Sequence, residues 1–333
     1  MEPLNIRYLS GHDVAALELG NDEILQAIES SLRAQGDGDT VIEPRMHLRP
    51  GQAVNGHFNV LRGYIGTNDT AGIKVVGDFH DNYLQGLPSE FGLLNLFDGS
   101  TGKPRAVLDA TGITEMRTGA LTAIGAKYLA PAKPKILGHI GARGTAYWNV
   151  RLLDHLFDFD EIRVHSRRVE SRESFAAKLE ADLGKPIRVT ADWRSCLEGA
   201  DILVEASRLT QPEPLFETAW IRPGALVVPY GTMSTVEDDI TGIMDKIVVD
   251  DWGQCLIGPF GCLRRHVDSG LVTRETIHAE LGEICAGKIG GRESDDETCL
   301  FWHRGLSTSD IALGEAMLQK AERLGIGHSL PYA

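Results

Sequence analysis

This chain of 333 residues has no paired-cysteine pattern, no apolar run long enough to span a bilayer and no excess of positive charge. Its five cysteines, Cys196, Cys255, Cys262, Cys285 and Cys299, are odd in number, and none stands in a C-x-x-C pair. That spacing argues against a disulfide framework and against a structural zinc site, so they read as reduced, buried thiols and no metal is expected. No apolar segment approaches the roughly 20 residues that cross a hydrocarbon core, so no membrane partner is expected. A formal charge of −14 opposes nucleic-acid binding, whose affinity comes largely from Lys and Arg neutralising phosphates. Any anionic ligand must instead be held by a local cluster of cations. The opening Met1-Glu2-Pro3-Leu4-Asn5 has neither the basic nor the apolar region of a secretory signal, and a cytoplasmic location is the expectation. No internal repeat or low-complexity tract is present.

The length exceeds the size at which one core keeps growing, so two domains are expected. Apolar positions at helical spacing from Asp13 to Arg33 predict one or two opening helices, with Asn21 and Asp22 as candidate caps. From Val41 to Val107 short apolar runs separated by Gly, Asn, Asp and Pro predict an antiparallel sheet, with Asp98-Gly99-Ser100-Thr101-Gly102 as its clearest turn. Helical spacing returns from Thr114 to Leu129 and ends at Ala130-Pro131-Ala132-Lys133-Pro134, where the prolines predict a boundary. Beyond it strands alternate with helices. Strands are expected at 135–140, 161–165, 187–190, 202–205, 226–229 and 246–249, with helices after Gly144, over 171–183 and near Trp193. Such alternation implies a parallel sheet covered on both faces. The expected class is α/β, a Rossmann-type parallel-sheet domain over 131–306 beside an α+β domain over 1–130, onto which 307–333, with a helix from Ser307 through Leu324, packs back.

The turn Gly138-His139-Ile140-Gly141-Ala142-Arg143-Gly144 follows an apolar strand and opens a helix, the context in which backbone N–H groups receive a dinucleotide pyrophosphate. Its match to the glycine fingerprint is imperfect. Read as G-x-G-x-x-A, it has Arg143 in place of the second glycine; read as G-x-G-x-x-G ending at Gly144, it has His139 in place of the first. The second strand ends at Val164-His165-Ser166-Arg167-Arg168. An acidic residue there binds the ribose hydroxyls of NAD, whereas arginine pairs with the 2′-phosphate of NADP, so Arg167 and Arg168 lean toward NADP, with NAD the alternative.

Ahead of this turn, Gly72-Ile73-Lys74, Asn82, Gly86-Leu87-Pro88, Thr101-Gly102, Leu108-Asp109-Ala110 and Ile113-Thr114 through Arg117-Thr118-Gly119-Ala120 occur together, with weaker echoes at Ala225-Leu226-Val227, Leu281-Gly282-Glu283-Ile284 and from Gly305 to Asp310. As a set, from about Val41 to Asp310, these residues resemble the ornithine cyclodeaminase and mu-crystallin family. The resemblance implies a homodimer whose first domain binds a small imino or amino acid and carries the dimer contact. It implies chemistry beside a nicotinamide, with Arg45 and Arg117 on the substrate carboxylate and Lys74 near the imine or amine carbon as a proton donor. Cofactor contacts are expected from Gly141, Ala142, Arg143, Gly144 and Thr145 of the turn, from Ser166, Arg167 and Arg168, and from Thr118 and Ser207.

One departure bears on the reaction. Cyclodeaminases of this family are expected to carry an aspartate just beyond the strand that here ends at Tyr230-Gly231, and this chain has Met233 at or near that place, with Glu237 or Asp238 as substitutes if the register slips. Methionine neither accepts a proton nor binds an ammonium, so an NAD(P)H-dependent 2-imino acid reductase is the main reading, with cyclodeamination and non-catalytic, crystallin-like NADP binding as alternatives. Extra cationic residues at His303 and Arg304, with His47 and His80, raise a narrower expectation: a dicarboxylic imino acid such as iminosuccinate, reduced to aspartate.

Overall fold

The computed structural model describes residues 4–51, 54–258 and 261–333. It contains two compact units, one comprising Met1–Arg117 with Leu306–Ala333 and the other Thr118–Gly305.

The first unit opens with β1 (Asn5–Leu9), α1 (Gly11–Ala16) and α2 (Asn21–Gly36). Ser10 caps α1 by accepting the Asp13 N–H, and Asp13 answers by accepting the Ser10 N–H, a reciprocal capping box. There follow β2 (Thr40–Ile42), β3 (Met46–Leu48), β4 (Gly56–Ile65), β5 (Thr70–Phe79), β6 (Glu90–Asp98) and β7 (Pro104–Asp109), and then α3 begins (Thr111–Leu129). The expected turn at Asp98–Gly102 joins β6 to β7, with the Asp98 carboxylate accepting the Thr101 N–H at 2.9 Å. After the second unit the chain returns with α10 (Ser307–Leu324) and β16 (His328–Pro331). The strands form one sheet in the order β16-β1-β7-β6-β5-β4-β2, with β3 also on β4, antiparallel throughout except for the β1–β7 pair. β1 and β16 are absent from the sequence expectation; β1 pairs with β7 and β16, whose residues lie about 100 and 320 positions further along the chain.

One face of this sheet is packed. Leu61, Leu94, Leu96 and Leu108 are buried with Ile24, Ile28 and Leu32 of α2 and with Ile311 and Leu318 of α10. Gly72 lets α10 approach: a Cβ there would stand 2.5 Å from Ile311. The opposite face is apolar and open. The register aligns Met46, Val60, Val75 and Leu93 in one row across β3 to β6, and Leu48, Phe58, Gly77 and Phe91 in the next. Phe91 and Leu93 are each 50% exposed.

The second unit contains β8 (Ile136–Ile140), α4 (Ala146–Phe157), β9 (Glu161–His165), α5 (Val169–Leu183), β10 (Ile187–Val189), α6 (Trp193–Leu197), β11 (Ile202–Glu205), β12 (Leu226–Pro229), β13 (Lys246–Val249), α7 (Trp252–Cys255), α8 (Arg264–Asp268), β14 (Ala279–Glu280), α9 (Leu281–Cys285) and β15 (Cys299–Trp302). All eight strands are parallel, in the order β10-β9-β8-β11-β12-β15-β13-β14. The first five follow the 3-2-1-4-5 order of a Rossmann sheet, whose ligands bind where the order reverses, between β8 and β11. Leu203, Val227, Val249, Leu300 and Trp302 form the centre of its core.

The division between units falls inside α3, earlier than the expected break at the prolines, although α3 does end at Leu129. The physical reason is packing: Gly119 and Gly125 of α3 lie against Trp148 of α4 and Phe301 of β15, which ties that part of the helix to the second unit.

Candidate functional site

In the first unit a strand position made for an apolar side chain carries a charge instead. Lys74 sits in the inward register of β5 between Leu61 on β4 and Leu94 on β6, and its side chain is only 2% exposed. A buried ammonium requires a partner. Asp310, in the first turn of α10, supplies it: its Oδ1 accepts from Lys74 Nζ at 2.5 Å and from Arg117 Nε at 3.0 Å. Lys74 also donates to Thr114 Oγ1 at 2.9 Å. Thr114 and Arg117 are three residues apart on α3, the spacing that places two side chains on one helix face.

Two buried cations thus share one carboxylate. Arg45, half-buried in the segment between β2 and β3, adds its field to both Lys74 and Asp310. Burial lowers the Lys74 pKa to about 8, Asp310 opposing and Arg117 assisting that shift. Burial alone would raise Asp310, but the neighbouring Lys74 and Arg117 charges hold it below the usual carboxylate range. With three cations against one acid, the cluster carries an excess of positive charge in a low-dielectric setting, where a ligand carboxylate is bound far more strongly than in water. Asp310 Oδ2 has no hydrogen-bond partner among the described residues, so the acid retains acceptor capacity.

Of the residues expected on the substrate, Lys74 and Arg117 are in direct contact with the same carboxylate, and Arg45 lies within electrostatic reach. Asp310 and Thr114 complete the group, and neither had been assigned a role from the sequence. The available signal was charge balance, since Lys74 among apolar strand neighbours demands an acid from elsewhere. The His47 ring lies 5.2 Å from that of His57 at a tilted angle, and burial lowers the His47 pKa. The side chain of His80 lies outside the described part of the molecule.

In the second unit the glycine turn adopts the G-x-R-x-x-A register. Gly141 has φ +109°, a region that L side chains rarely adopt, and a Cβ there would stand 2.9 Å from the Ala206 carbonyl. Ala146 is fully buried at the start of α4, filling the place where close helix–strand packing is required. Arg143, in the second glycine's place, is exposed and donates to Ser171 Oγ of α5 at 3.3 Å. Its guanidinium thus reaches α5 across the surface of the turn. Gly144 follows with φ +56°. Ser166, Arg167 and Arg168 leave the end of β9 with both arginines exposed. Thr118 is buried on α3. Ser207 donates its N–H to Glu205 at 2.7 Å, and its hydroxyl lies beside the same carboxylate.

Two further groups, the buried Glu205 and the half-buried Tyr230, organise this edge of the sheet. Glu205, at the end of β11, accepts the N–H groups of Ser207 and Gly231, and burial raises its pKa. Tyr230, at the end of β12, bonds Thr145 Oγ1 at 2.6 Å and accepts from Asn149 Nδ2. A left-handed glycine, whose added Cβ would meet the Ala206 carbonyl, and the start of α4 at the reversal of the strand order fit a dinucleotide pyrophosphate.

The expectation for His303 is corrected by the structure. It is 2% exposed, stacks on Tyr230 at 4.4 Å and on Phe301 at 5.2 Å, and its Nε2 bonds Thr122 Oγ1 at 3.0 Å. It serves as a packing residue inside the second unit. Arg304 and Gly305 donate their backbone N–H groups to Asp250. Near Met233, which is half-buried, both candidate substitutes are committed elsewhere: Glu237 accepts the Thr218 N–H at 2.7 Å, and Asp238 pairs with Arg265 at 2.7 Å.

Among known proteins, the sequence profile of the Ornithine cyclodeaminase/mu-crystallin family matches residues 8–323. Alanine dehydrogenase of Archaeoglobus fulgidus is 30% identical over 331 residues, 97% of this chain and 98% of that protein. The Delta(1)-pyrroline-2-carboxylate reductase of Thermococcus litoralis, solved with NADH and L-proline, superposes with a TM-score of 0.89 at 27% identity, covering 98% of this chain and all of that one. An archaeal alanine dehydrogenase dimer with bound NAD superposes with a TM-score of 0.89 at 28% identity, covering 99% of this chain and all of that one.

Proposed function

The chain belongs to the ornithine cyclodeaminase/mu-crystallin family, and from that premise we propose that it is a nicotinamide-dependent oxidoreductase that reduces the C=N bond of a 2-imino acid or, in reverse, oxidises the amino acid. The observation that carries this reading is Lys74: a fully buried ammonium with a pKa of about 8, flanked by Arg117 and paired with Asp310, is a proton donor tuned for neutral solution. Arg45 and Arg117 hold the substrate carboxylate, and Lys74 gives its proton to the imine nitrogen. The nicotinamide, when bound, supplies the hydride to the imine carbon, so that one proton and one hydride convert C=N to CH–NH. Gly141, Ala142, Arg143, Gly144 and Thr145 receive the pyrophosphate, with Ser207 and Thr118 as further cofactor contacts.

The relatives solved with NADH or NAD support a nicotinamide cofactor. Ser166, Arg167 and Arg168 at the end of β9 favour NADP within that class, because exposed guanidinium groups there suit a 2′-phosphate. Met233, with Glu237 and Asp238 both occupied, disfavours cyclodeamination.

The first unit carries the dimer contact in this reading. Two apolar rows across β3 to β6 leave Phe91 and Leu93 half-exposed, the kind of surface that a second copy covers. Leu93→Asp is expected to convert a dimer to a monomer in sedimentation, and an unchanged mass would move the interface elsewhere. Five buried free cysteines suit a reducing compartment, and we place the protein in the cytoplasm.

The deciding experiment follows absorbance of NADH and NADPH, separately, with purified protein, ammonium and a panel of 2-oxo acids that includes oxaloacetate, pyruvate and glyoxylate, together with a cyclic imine. Ammonium-dependent oxidation with one acid, or oxidation with the cyclic imine, identifies substrate and cofactor. Absence of oxidation throughout would sink the reductase reading in favour of cyclodeamination or simple binding.

A further inference from the structure

Behind the glycine turn lies a row of polar groups that no part of the proposed reaction uses, His139 on β8, Asn149 on α4 and the half-buried Tyr230 after β12, ending at Thr145. His139 and Asn149 are fully buried. His139 Nδ1 lies 3.1 Å from the Gly141 carbonyl oxygen, and Asn149 Nδ2 lies 3.1 Å from His139 Nε2 and also contacts the Tyr230 hydroxyl. Tyr230 in turn lies 2.6 Å from Thr145 Oγ1.

The direction of each bond follows from what each group is able to do. A carbonyl only accepts, so Nδ1 of His139 carries the proton and donates to Gly141. Burial pushes the His139 pKa down to about 4, so the ring is neutral and Nε2 is an acceptor. Only the amide nitrogen of Asn149 satisfies it, and the second hydrogen of that nitrogen goes to the Tyr230 oxygen. Burial holds the Tyr230 phenol at about 12, so its own proton stays on and requires an acceptor. Thr145 Oγ1, 2.6 Å away, is that acceptor, because the other neighbour of the phenol, the Asn149 amide nitrogen, only donates. Thr145 is the residue before α4 and makes no side-chain cap bond to that helix. Its hydroxyl proton is therefore free to point away from Tyr230.

We propose that His139, Asn149 and Tyr230 form a one-way hydrogen-bond relay that fixes the Thr145 hydroxyl as a donor to a pyrophosphate oxygen of the dinucleotide, taking over positioning that the missing second glycine ordinarily gives to the turn. Tyr230, Asn149 and His139 are positioning residues, and Thr145 is the one that touches cofactor. The inference rests on the dinucleotide reading of the turn. The stack of His303 on Tyr230, itself held by Thr122, keeps the phenol in register with Thr145.

The test is a double-mutant cycle read by calorimetric titration of NADH, with melting temperature recorded for each variant. Thr145→Val removes the donor and is expected to weaken NADH binding roughly ten- to hundredfold, the usual size of one hydrogen bond to a charged acceptor. Tyr230→Phe, which keeps the ring stacked on His303 but leaves the Thr145 hydroxyl unoriented, is expected to give a smaller loss, and the double variant no more than Thr145→Val alone, because Tyr230 acts only through the Thr145 hydroxyl. Thr145→Ser, which keeps the hydroxyl, is expected to retain affinity. Asn149→Asp places an acceptor against the Tyr230 proton, reverses the relay and is expected to reproduce the Tyr230→Phe loss even if that variant folds poorly. Additive losses in the double variant, or full affinity in Thr145→Val, would overturn the relay. Wild-type protein that binds neither NADH nor NADPH would instead overturn the dinucleotide reading.

Discussion

The two sites of this molecule are built on opposite physical principles. In the first unit Lys74, Arg117 and Asp310 are held by charge: full ions placed between sheet and helix, where each is costly alone and the set is stable only together. In the second unit His139, Asn149, Tyr230 and Thr145 are held by neutral hydrogen bonds whose direction is fixed by donor and acceptor inventory. The difference follows from their tasks. A group that must give up a proton needs a pKa near working pH, and burial against unbalanced charge supplies one. A group that must present the same donor at every pH needs neighbours that do not titrate.

That contrast is sharpest in turnover. Lys74→Met is expected to cut the rate of imine reduction by about 10² to 10⁴, the range for loss of a general acid, while NADH titrations of the same variant stay near the wild-type value. Loss of NADH binding together with rate would mean that the two sites are not separable in this way. Asp310→Asn strikes the charged site at its centre. Removing the acid leaves Lys74 and Arg117 buried without a counter-charge, with an expected loss of about 3 kcal/mol of stability in denaturant unfolding. The pH limit of reduction should also move below that of the wild type, because the group that raises the Lys74 pKa is gone. A variant with unchanged stability and pH profile would remove Asp310 from the site.

The smallest expected effect is one that should be absent. In reduction Lys74 must be protonated, so kcat/KM is expected to be level below its pKa of about 8 and to fall above it; in oxidation the neutral amine is needed, and kcat/KM rises toward a plateau through the same value. NADH affinity, by contrast, is expected to stay flat from about pH 6 to 9, because His139 and Tyr230 titrate near 4 and 12. The stability contribution of Lys74 has its own sign. Its folded pKa lies below the 10.5 of the free side chain, so the unfolded chain binds more protons between about 8 and 10.5, and the penalty of burying the ammonium is relieved as pH rises through that window.

Much of the architecture was legible because it obeys local rules. The strands at Glu161–His165, Ile202–Glu205, Leu226–Pro229 and Lys246–Val249, and the helix Ser307–Leu324, have the bounds that apolar runs and helical spacing predict. β1, β15 and β16 are not among the expected strands: β15 is an apolar run like those recognised, set in a stretch with no regular strand–helix alternation before it, and β1 and β16 pair with each other from opposite ends of the chain. The candidate site divides in the same way. Lys74 and Arg117 stand in dense motifs, whereas Asp310 reaches them across 236 residues from Lys74.

The sequence by itself determined the Rossmann alternation, the glycine turn with its misplaced Arg143, and the cations that a small anionic substrate needs, because periodicity, turn chemistry and residue type are local properties. Only the tertiary structure decided which acid pairs with Lys74, where the Arg143 side chain goes, and that His303 packs on Tyr230 instead of standing as a free cation. Each of those outcomes depends on burial and on partners brought from other elements, and a buried charge or hydroxyl acquires its protonation state and its direction only from the groups folding places around it.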